Sequence, residues 1–275
     1  MLELFFSYFR TDKNLVMIPK KIHYCWLSGE TIPSKLKDCI NTWSQILPDY
    51  ELICWDKSRF DITSEPFVFE ACEAKKWAFA ADYIRLHALF TEGGIYLDSD
   101  VIVKKSLNGF LDCEFFSSIE IHDFIVKGSN SLALVDAEGN IKPGRSEIGI
   151  PGIGMQAAVI GSVKGHTFLA DCLNWYRGRH FILSDGNYYD KIIAPAILSS
   201  MAEKYGFRYK DERQELKNNM IILPSEVFSG TLQDATANAY AIHLCDGSWR
   251  DKKVKPTLLA RISNKLMWWK SKNTL

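Results

Sequence analysis

The sequence predicts an α/β fold with a mainly parallel central sheet, and three observations support this. A strand pattern, an amphipathic helix pattern and a second strand pattern follow one another within the first sixty residues, which is the order of a βαβ unit with parallel strands. A long helix pattern then leads through two glycines into another apolar strand. The 275 residues, 47% of them hydrophobic, are enough to fill one large core.

The first hundred residues contain the clearest elements. Apolar residues recur three and four positions apart between Leu36 and Ile46, which indicates a helix that ends near Pro48. The segment from Pro66 to Glu92 has the composition of one continuous helix. The elements expected here are a strand at 18–26, a helix at 36–46, a strand at 50–55, a helix at 66–92 and a strand at 95–97.

The remainder of the chain yields weaker patterns. The elements expected are a loop-rich segment at 128–154, a strand at 157–161, helices at 166–177 and 194–205, and strands at 221–223 and 240–245. Residues 250–275 carry eight basic residues against one acidic residue. Apolar residues of this segment fall on one helical stripe, which predicts a basic amphipathic helix suited to an anionic membrane surface; packing of that helix against the domain is the alternative. We therefore expect one domain over 1–250 and a separate tail over 251–275.

Composition narrows the class of protein. The chain lacks a run of eighteen apolar residues and a basic leader, so we expect a cytoplasmic protein, associated at most peripherally with the inner face of the membrane. Seven scattered cysteines without a CxxC pair are expected to be reduced thiols. The formal net charge is zero and the tail holds the basic excess, so the remaining chain is acidic and nucleic acid is not an expected partner.

The stretch GGIYLDSD, from Gly93 to Asp100, carries the strongest chemical signal. Residues two apart in a strand share a face, so Asp98 and Asp100 are expected to converge. Two adjacent carboxylates repel unless a cation lies between them, and oxygen ligands favour Mg²⁺ or Mn²⁺. Asp82 and Arg85 lie three apart on the preceding helix and share one of its faces.

Two metal-dependent chemistries fit this pair. One is a haloacid-dehalogenase-like phosphohydrolase, with Asp98 as nucleophile, Asp100 as acid and base, and Asp185 and Asp190 as metal carboxylates. The other is sugar transfer from a nucleotide-diphosphate donor, where the pair holds a metal on the diphosphate. The second is preferred because the DSD strand comes late in the chain and Ser184 precedes Asp185 where the first chemistry expects glycine. A non-catalytic protein that binds sugar nucleotides is a third alternative.

Five segments, IPKKIHYCWLSGE, LPDYELICWD, AFAADYIRLHALFTEGGIYLDSDVIV, VIGSVKGHTFL and YAIHLCDGSW, resemble the DXD-containing sugar-transferase family, glycosyltransferase family thirty-two. This family includes capsular polysaccharide transferases, mannosyltransferases and, more distantly, clostridial glucosylating toxins. The resemblance covers about residues 17–250. It implies a GT-A type Rossmann-like fold and transfer of a hexose, with retention of configuration, from UDP-hexose or GDP-mannose. The implied acceptor is a glycan, for example a lipid-linked oligosaccharide in surface or capsular polysaccharide synthesis.

The resemblance also implies roles for individual residues. Trp26 would lie against the nucleotide base, with backbone contacts from Ile22 and Tyr24. Asp82 and Arg85 would contact the donor sugar, Asp98 would bind donor hydroxyls and assist the metal, and Asp100 would ligate it. His243 is a further candidate ligand, and Ser248 and Trp249 would cover the diphosphate.

These roles have structural alternatives. Trp26 could be a core aromatic residue, Arg85 an ordinary surface partner of Asp82, and His243 a structurally satisfied histidine; His23 and His166 are expected to be structural. Two segments depart from the family pattern. Met155 and Gln156 stand where relatives commonly have an Asn-containing stretch, and Ala194 and Pro195 where they often have Gly-Pro, so acceptor binding is not transferred from the family.

Overall fold

The computed structural model describes residues 17–144, 148–233 and 235–245. The N-terminal part is a βαβ unit, as the sequence predicts. β1 (Lys21–Cys25) and β2 (Glu51–Trp55) pair in parallel through α1 (Ser34–Ile46). The other helices are α2 (Pro66–Glu73), α3 (Trp77–Glu92), α4 (Asp123–Gly128), α5 (Thr167–Tyr176) and α6 (Ala194–Ala202).

The central sheet is mixed but mainly parallel. Its other strands are β3 (Gly94–Leu97), β5 (Phe115–Ile121), β6 (Ile153–Met155), β7 (Val159–Ser162), β8 (Gln214–Leu216) and β9 (Met220–Leu223). The strand order is β2-β1-β3-β7-β5-β9-β8, with β6 beside β5. Along this order only β7 and β8 run opposite to the other strands. The predicted α/β, Rossmann-like architecture is confirmed.

A second, smaller sheet supports the end of β3. It consists of β4 (Val101–Val103), β10 (Phe228–Ser229) and β11 (Ala241–His243), in the order β10-β11-β4. β11 pairs antiparallel with β4 and parallel with β10. Because β4 begins directly after Asp100, the small sheet brings the C-terminal strand to the aspartates.

The prediction of one helix from Pro66 to Glu92 is wrong, because the helix breaks at Lys75. The backbone N–H of Lys76 bonds to Ala71 O and that of Lys75 to Cys72 O, while Lys75 has φ of 56°. These bonds form a Schellman motif, which ends a helix with one left-handed residue. Glycine or asparagine usually takes that position; here lysine does, so the composition of the segment gave no sign of the break.

Five strands are absent from the sequence predictions: β4, β5, β6, β8 and β10. β5 is nonetheless an interior strand, paired with β7 on one side and β9 on the other. β4 and β6 have three residues each, which is too short for a pattern of alternation to be recognised. The predicted loop-rich segment 128–154 includes the first two residues of β6.

Buried side chains form a large cluster around α2, α3, α5 and α6, and a second cluster around α1 and β4. In the described residues, none of the helices combines the length and the apolar character that crossing a bilayer requires. The predicted tail, 251–275, lies outside the described residues, as do Ser248 and Trp249.

Gly93 and Gly94 allow the chain to pass from α3 directly into β3. Gly93 ends the helix with φ of 68°, as the sequence predicts. Gly94 has φ of 118°, and a Cβ there would lie 2.8 Å from the Lys21 carbonyl oxygen. Only glycine accommodates both this conformation and this approach. The two residues therefore set where β3 starts. The position of β3 in turn sets that of Asp98, which directly follows its last residue, Leu97.

Candidate functional site

Asp98 and Asp100 lie in a tight turn between β3 and β4. Asp98 N–H donates to Ala158 O at 2.9 Å, and Val101 N–H donates back to Asp98 O at 2.9 Å. The two carboxylates do converge, but the geometry differs from the expectation of one regular strand face. The chain turns between them, and the hydrogen bond from Val101 to Asp98 closes that turn.

His243 reaches the same point from the small sheet. It is opposite Val101 in the register of β11 and β4, and Leu244 N–H donates to Asp100 O at 3.1 Å. His243 Nε2 lies 3.3 Å from Asp100 Oδ1 and 4.0 Å from Asp98 Oδ2. One ligand atom from each of the three residues falls within 4.8 Å of the others.

This arrangement fits a divalent cation. Two carboxylates and one imidazole are suitable ligands for Mn²⁺, and the carboxylates also for Mg²⁺. Burial alone would lower the pKa of His243, but hydrogen bonding to Asp100 and Cys245 outweighs it and raises that pKa well above its ordinary value. The group therefore attracts positive charge, either as a proton or as a metal.

Arg85 of α3 connects the aspartates with the preceding helix. Its side chain is 5% exposed, so Arg85 is not an ordinary surface partner of Asp82. The guanidinium donates to Asp82 Oδ1 at 2.7 Å, to Ala157 O at 2.7 Å and to Asp98 Oδ2 at 3.4 Å. Burial raises the pKa of Asp82 to about 7, although the neighbouring Arg85 opposes this shift. The ion pair of Asp82 and Arg85 therefore lies beside the turn and is largely shielded from water.

Tyr96 is a site residue that the sequence reasoning missed. Its hydroxyl donates to Asp98 Oδ1 at 3.0 Å, and the Arg85 guanidinium lies over its ring at 4.7 Å from the centroid. Tyr96 and Asp98 are two apart at the end of β3, so the spacing that indicated a shared face for the two aspartates also placed Tyr96 on that face. This was the available signal.

The residues predicted for the nucleotide base lie along β1 and directly after it. Ile22 is buried and pairs with Leu52 and Ile95 on either side. Tyr24 is half-buried and packs edge-on against Trp43. Trp26 directly follows β1 and is partly exposed; its indole N–H donates to Glu30 O at 2.6 Å. Tyr24 and Trp26 lie at the carboxyl end of β1, on the side where the aspartates follow the parallel strand β3. The contacts of all three residues with a nucleotide stay predictions.

The two segments that depart from the family pattern also border this region. The Asp82 carboxylate accepts a hydrogen bond from the backbone N–H of Ala194, at the start of α6. Gln156 is 1% exposed and donates from Nε2 to Phe228 O at 2.6 Å. Met155 is completely buried in β6. Ala194 is thus hydrogen-bonded to a predicted site residue, Asp82. Gln156, which lies just before β7, is instead hydrogen-bonded to β10 of the small sheet.

The carboxylates of the phosphohydrolase alternative are not part of this group. Asp185 is exposed and accepts hydrogen bonds from Asn187 within its own turn. Among the described residues, the metal-capable group consists of Asp98, Asp100 and His243 without Asp185 or Asp190. His23 and His166 are buried, with hydrogen bonds to backbone carbonyls.

Comparison with known proteins finds a family match for the region that contains the turn from Asp98 to Val101. Residues 33–117 match the family model described as "Glycosyltransferase sugar-binding region containing DXD motif". This part of the chain is similar to the DXD-containing glycosyltransferases. The matched region runs from the residue before α1 to the third residue of β5, and so includes Asp82, Arg85, Asp98 and Asp100.

Two curated relatives each align with about a third of the chain. An "Uncharacterized glycosyltransferase L373" of Acanthamoeba polyphaga mimivirus is 36% identical over 106 residues, which are 36% of this chain and 42% of that protein. "Inositol phosphoceramide mannosyltransferase 3" of Schizosaccharomyces pombe is 35% identical over 98 residues, which are 34% of this chain and 27% of that protein. The chain therefore spans less than half the length of these relatives.

A search of solved structures aligns the chain with a glycosyltransferase involved in the glycosylation of the major capsid of PBCV-1. It is 15% identical, with a TM-score of 0.44, and the alignment covers 90% of this chain and 98% of that chain.

Proposed function

We propose that the protein is a metal-dependent glycosyltransferase that moves a hexose from a nucleotide-diphosphate sugar to a glycan. The observation that carries this proposal is the convergence of Asp98, Asp100 and His243 within 4.8 Å, inside or beside the DXD region. Two carboxylates and an imidazole that meet at the end of the central sheet are ligand types that a divalent cation takes, and this supports the proposal.

Different residues would bind the metal, the sugar, the base and the diphosphate of the donor. Asp98, Asp100 and His243 would hold Mn²⁺ or Mg²⁺, which when bound neutralises charge on the departing diphosphate. Asp82 and Arg85 would orient the sugar, since their buried polar atoms border the turn. Trp26 would lie against the base, with backbone contacts from Ile22 and Tyr24. Ser248 and Trp249 would cover the diphosphate.

Finer features of the reaction rest on the family resemblance. We propose UDP-hexose or GDP-mannose as donor, and the mannosyltransferase name of the yeast relative supports a hexose. The acceptor hydroxyl would attack from the face that the diphosphate leaves, so that configuration is retained. A lipid-linked oligosaccharide of surface or capsular polysaccharide is the proposed acceptor class.

A thermal-shift screen of nucleotide sugars with Mn²⁺ tests donor binding. A ligand that binds the native state stabilises it, by about 2.7 kcal/mol at one hundred times its dissociation constant. We expect one nucleotide-sugar class to raise the melting temperature with Mn²⁺, and to raise it less with EDTA. The variant Asp100→Asn should lose the metal-dependent part, whereas Asp49→Asn, at an exposed Lys20 pair, should keep it. The absence of any metal-dependent shift would contradict the proposal.

The chemical step separates the enzyme from a non-catalytic binding protein. Release of free nucleoside diphosphate from the donor that the screen identifies is expected from the enzyme. Binding without release, in the presence of candidate glycan acceptors, would instead favour the sugar-nucleotide-binding alternative.

The basic tail, 251–275, is proposed to attach the protein to the cytoplasmic face of an anionic membrane. Its charge and helical stripe support this, and attachment would bring a lipid-linked acceptor to the site. Co-sedimentation with vesicles containing anionic lipid is expected for the full chain and not for a chain ending at residue 250. Equal sedimentation of both chains would refute this role of the tail.

A further inference from the structure

Cys245 contacts the imidazole of His243 on the side away from the aspartates. Its sulfur lies 3.4 Å from His243 Nδ1 and also contacts the carbonyl oxygen of Gly230, directly after β10. The opposite ring nitrogen, Nε2, faces Asp100 Oδ1 at 3.3 Å. The histidine ring is therefore held between a thiol and the carboxylate group.

The number of available protons fixes the direction of these hydrogen bonds. A thiol has one proton, and the Gly230 carbonyl can only accept it. The sulfur is then left as an acceptor, so His243 Nδ1 carries a proton and donates it to Cys245. In a neutral imidazole this leaves the lone pair on Nε2, directed at the space shared with Asp98 and Asp100.

We propose that Cys245 is a positioning residue that selects the metal-binding tautomer of His243. This inference rests on the proposed function, because it requires a metal at Asp98, Asp100 and His243. Metal-binding histidines generally donate their second ring N–H to a carboxylate, carbonyl or water, and this partner sets ring orientation and ligand basicity. Here a thiol, itself fixed by the strand of the small sheet, takes that place.

The backbone at Cys245 supports a specific placement of the thiol. Cys245 has φ of 51°, a left-handed conformation that is uncommon for residues other than glycine, asparagine and aspartate. A residue in this conformation is maintained only when its surroundings determine it. At Cys245 those surroundings are the two contacts of the sulfur, which bring the side chain back against His243, two residues earlier.

Metal affinity of purified full-length variants tests the proposal without an activity assay. Manganese binding can be titrated by electron paramagnetic resonance of the free ion. We expect Cys245→Ala to weaken Mn²⁺ binding about 10-fold or more, which is the usual effect of losing an outer partner of a metal ligand. Cys245→Asn should restore most of the affinity, because its amide oxygen accepts from Nδ1 and asparagine tolerates the left-handed conformation.

Cys113→Ala is a matched control. Cys113 is buried, whereas Cys245 is partly buried, and its thiol likewise donates to a backbone carbonyl, that of Phe110 at 3.2 Å, but it does not contact the metal-capable group. This variant is expected to bind Mn²⁺ like the unaltered protein. Cys245→Ala binding that equals the control would overturn the proposal, whereas failure of the unaltered chain to bind Mn²⁺ would refute the metal site itself.

If Cys245→Ala does not fold, the tautomer of His243 can be measured on the unaltered protein instead. Nitrogen-15 shifts of the histidine rings, recorded with Mg²⁺ and assigned with His243→Gln, report which ring nitrogen carries the proton. The proposal predicts a proton on Nδ1 of His243 and a metal-facing Nε2. A proton on Nε2 in the Mg²⁺-saturated protein would overturn it.

Discussion

Arg85 donates a hydrogen bond at 2.7 Å to Asp82, and the side chain of Arg85 is 5% exposed and that of Asp82 14%. The same guanidinium reaches Asp98 at 3.4 Å. One cation of α3 therefore faces two carboxylates, one of which belongs to the turn that carries the metal-capable group. The pair links the stability of α3 to the geometry of the candidate site.

Replacement of Arg85 by methionine should destabilise the protein strongly. Removing one partner of a buried ion pair leaves the other charge unpaired and costs about 3–5 kcal/mol of unfolding free energy. Arg59→Met is the control, because Arg59 pairs with Glu92 at a side-chain exposure of 42% and such pairs contribute at most about 1 kcal/mol. Urea denaturation measures both. Equal losses of unfolding free energy in the two variants would show that the buried pair contributes no more to stability than the exposed one.

The passage from α3 into β3 should tolerate no side chain at Gly94. In Gly94→Ala the new Cβ would lie 2.8 Å from Lys21 O at a φ of 118°, so backbone strain and overpacking add to about 3 kcal/mol or more. Gly109→Ala is the matched control, since a Cβ there meets nothing within 4 Å, and it should change stability by about 0.5 kcal/mol or less. Chemical denaturation of both proteins provides the comparison; similar stabilities would contradict the close approach.

His23 should make the fold sensitive to acid. Trp55 Nε1–H donates to its Nδ1 at 2.9 Å and its Nε2–H donates to Gly93 O at 2.8 Å, so the neutral ring is fully satisfied. Burial lowers the pKa of His23 below its ordinary 6.5. Below pH 6.5 the unfolded chain therefore binds a proton that the folded chain does not. The stability that the neutral form contributes is lost as pH falls, by up to about 1.4 kcal/mol per pH unit, until the folded pKa is reached.

The variant His23→Gln isolates this contribution. It keeps a donor for Gly93 but leaves Trp55 without its acceptor, so it should be less stable at pH 8 by about 1–3 kcal/mol. Its stability should then fall less steeply between pH 6.5 and 5 than that of the unaltered chain. Burial also lowers the pKa of His87 and His166, so part of the decline will remain. Parallel pH curves for the two proteins would exclude His23 as a source.

Tyr96 should affect metal binding more than folding. Tyr96→Phe removes the hydroxyl that donates to Asp98 at 3.0 Å and keeps the ring under Arg85. The expected loss of stability is about 1 kcal/mol, while Mn²⁺ affinity should fall about 10-fold because the orientation of Asp98 is no longer fixed. Calorimetric titration with Mn²⁺ checks this, and unchanged affinity would assign Tyr96 to the core alone.

The sequence predicted the parts of this fold that have strong local patterns. The βαβ unit, the Gly93 cap and the pairing of Asp82 with Arg85 all follow from periodicity, composition or spacing. The break at Lys75 did not, because lysine occupies a left-handed position that composition associates with glycine. The short strands β4 and β6 were also missed, since their three residues are held by neighbouring strands rather than by any local preference.

The residues of the candidate site also differ in how far the sequence alone could predict them. Asp98 and Asp100 could be singled out because they are close in sequence. His243 entered through the family resemblance, and its approach to Asp100 depends on the register of β11 against β4, which is a tertiary relationship. Tyr96 was overlooked because a tyrosine within an apolar strand has the same pattern as a core residue; only the structure shows its hydroxyl on Asp98.

The central claim, that Asp98, Asp100 and His243 serve metal-dependent sugar transfer, is tested most directly by the rate of nucleoside diphosphate release. The assay uses the donor that gives a metal-dependent thermal shift, with saturating Mn²⁺, and compares the unaltered chain with Asp100→Asn and Asp49→Asn. We predict release by the unaltered chain that EDTA abolishes, a loss of at least about 100-fold in Asp100→Asn, and full activity in Asp49→Asn. Equal release by Asp100→Asn, or release that EDTA does not reduce, would contradict the account.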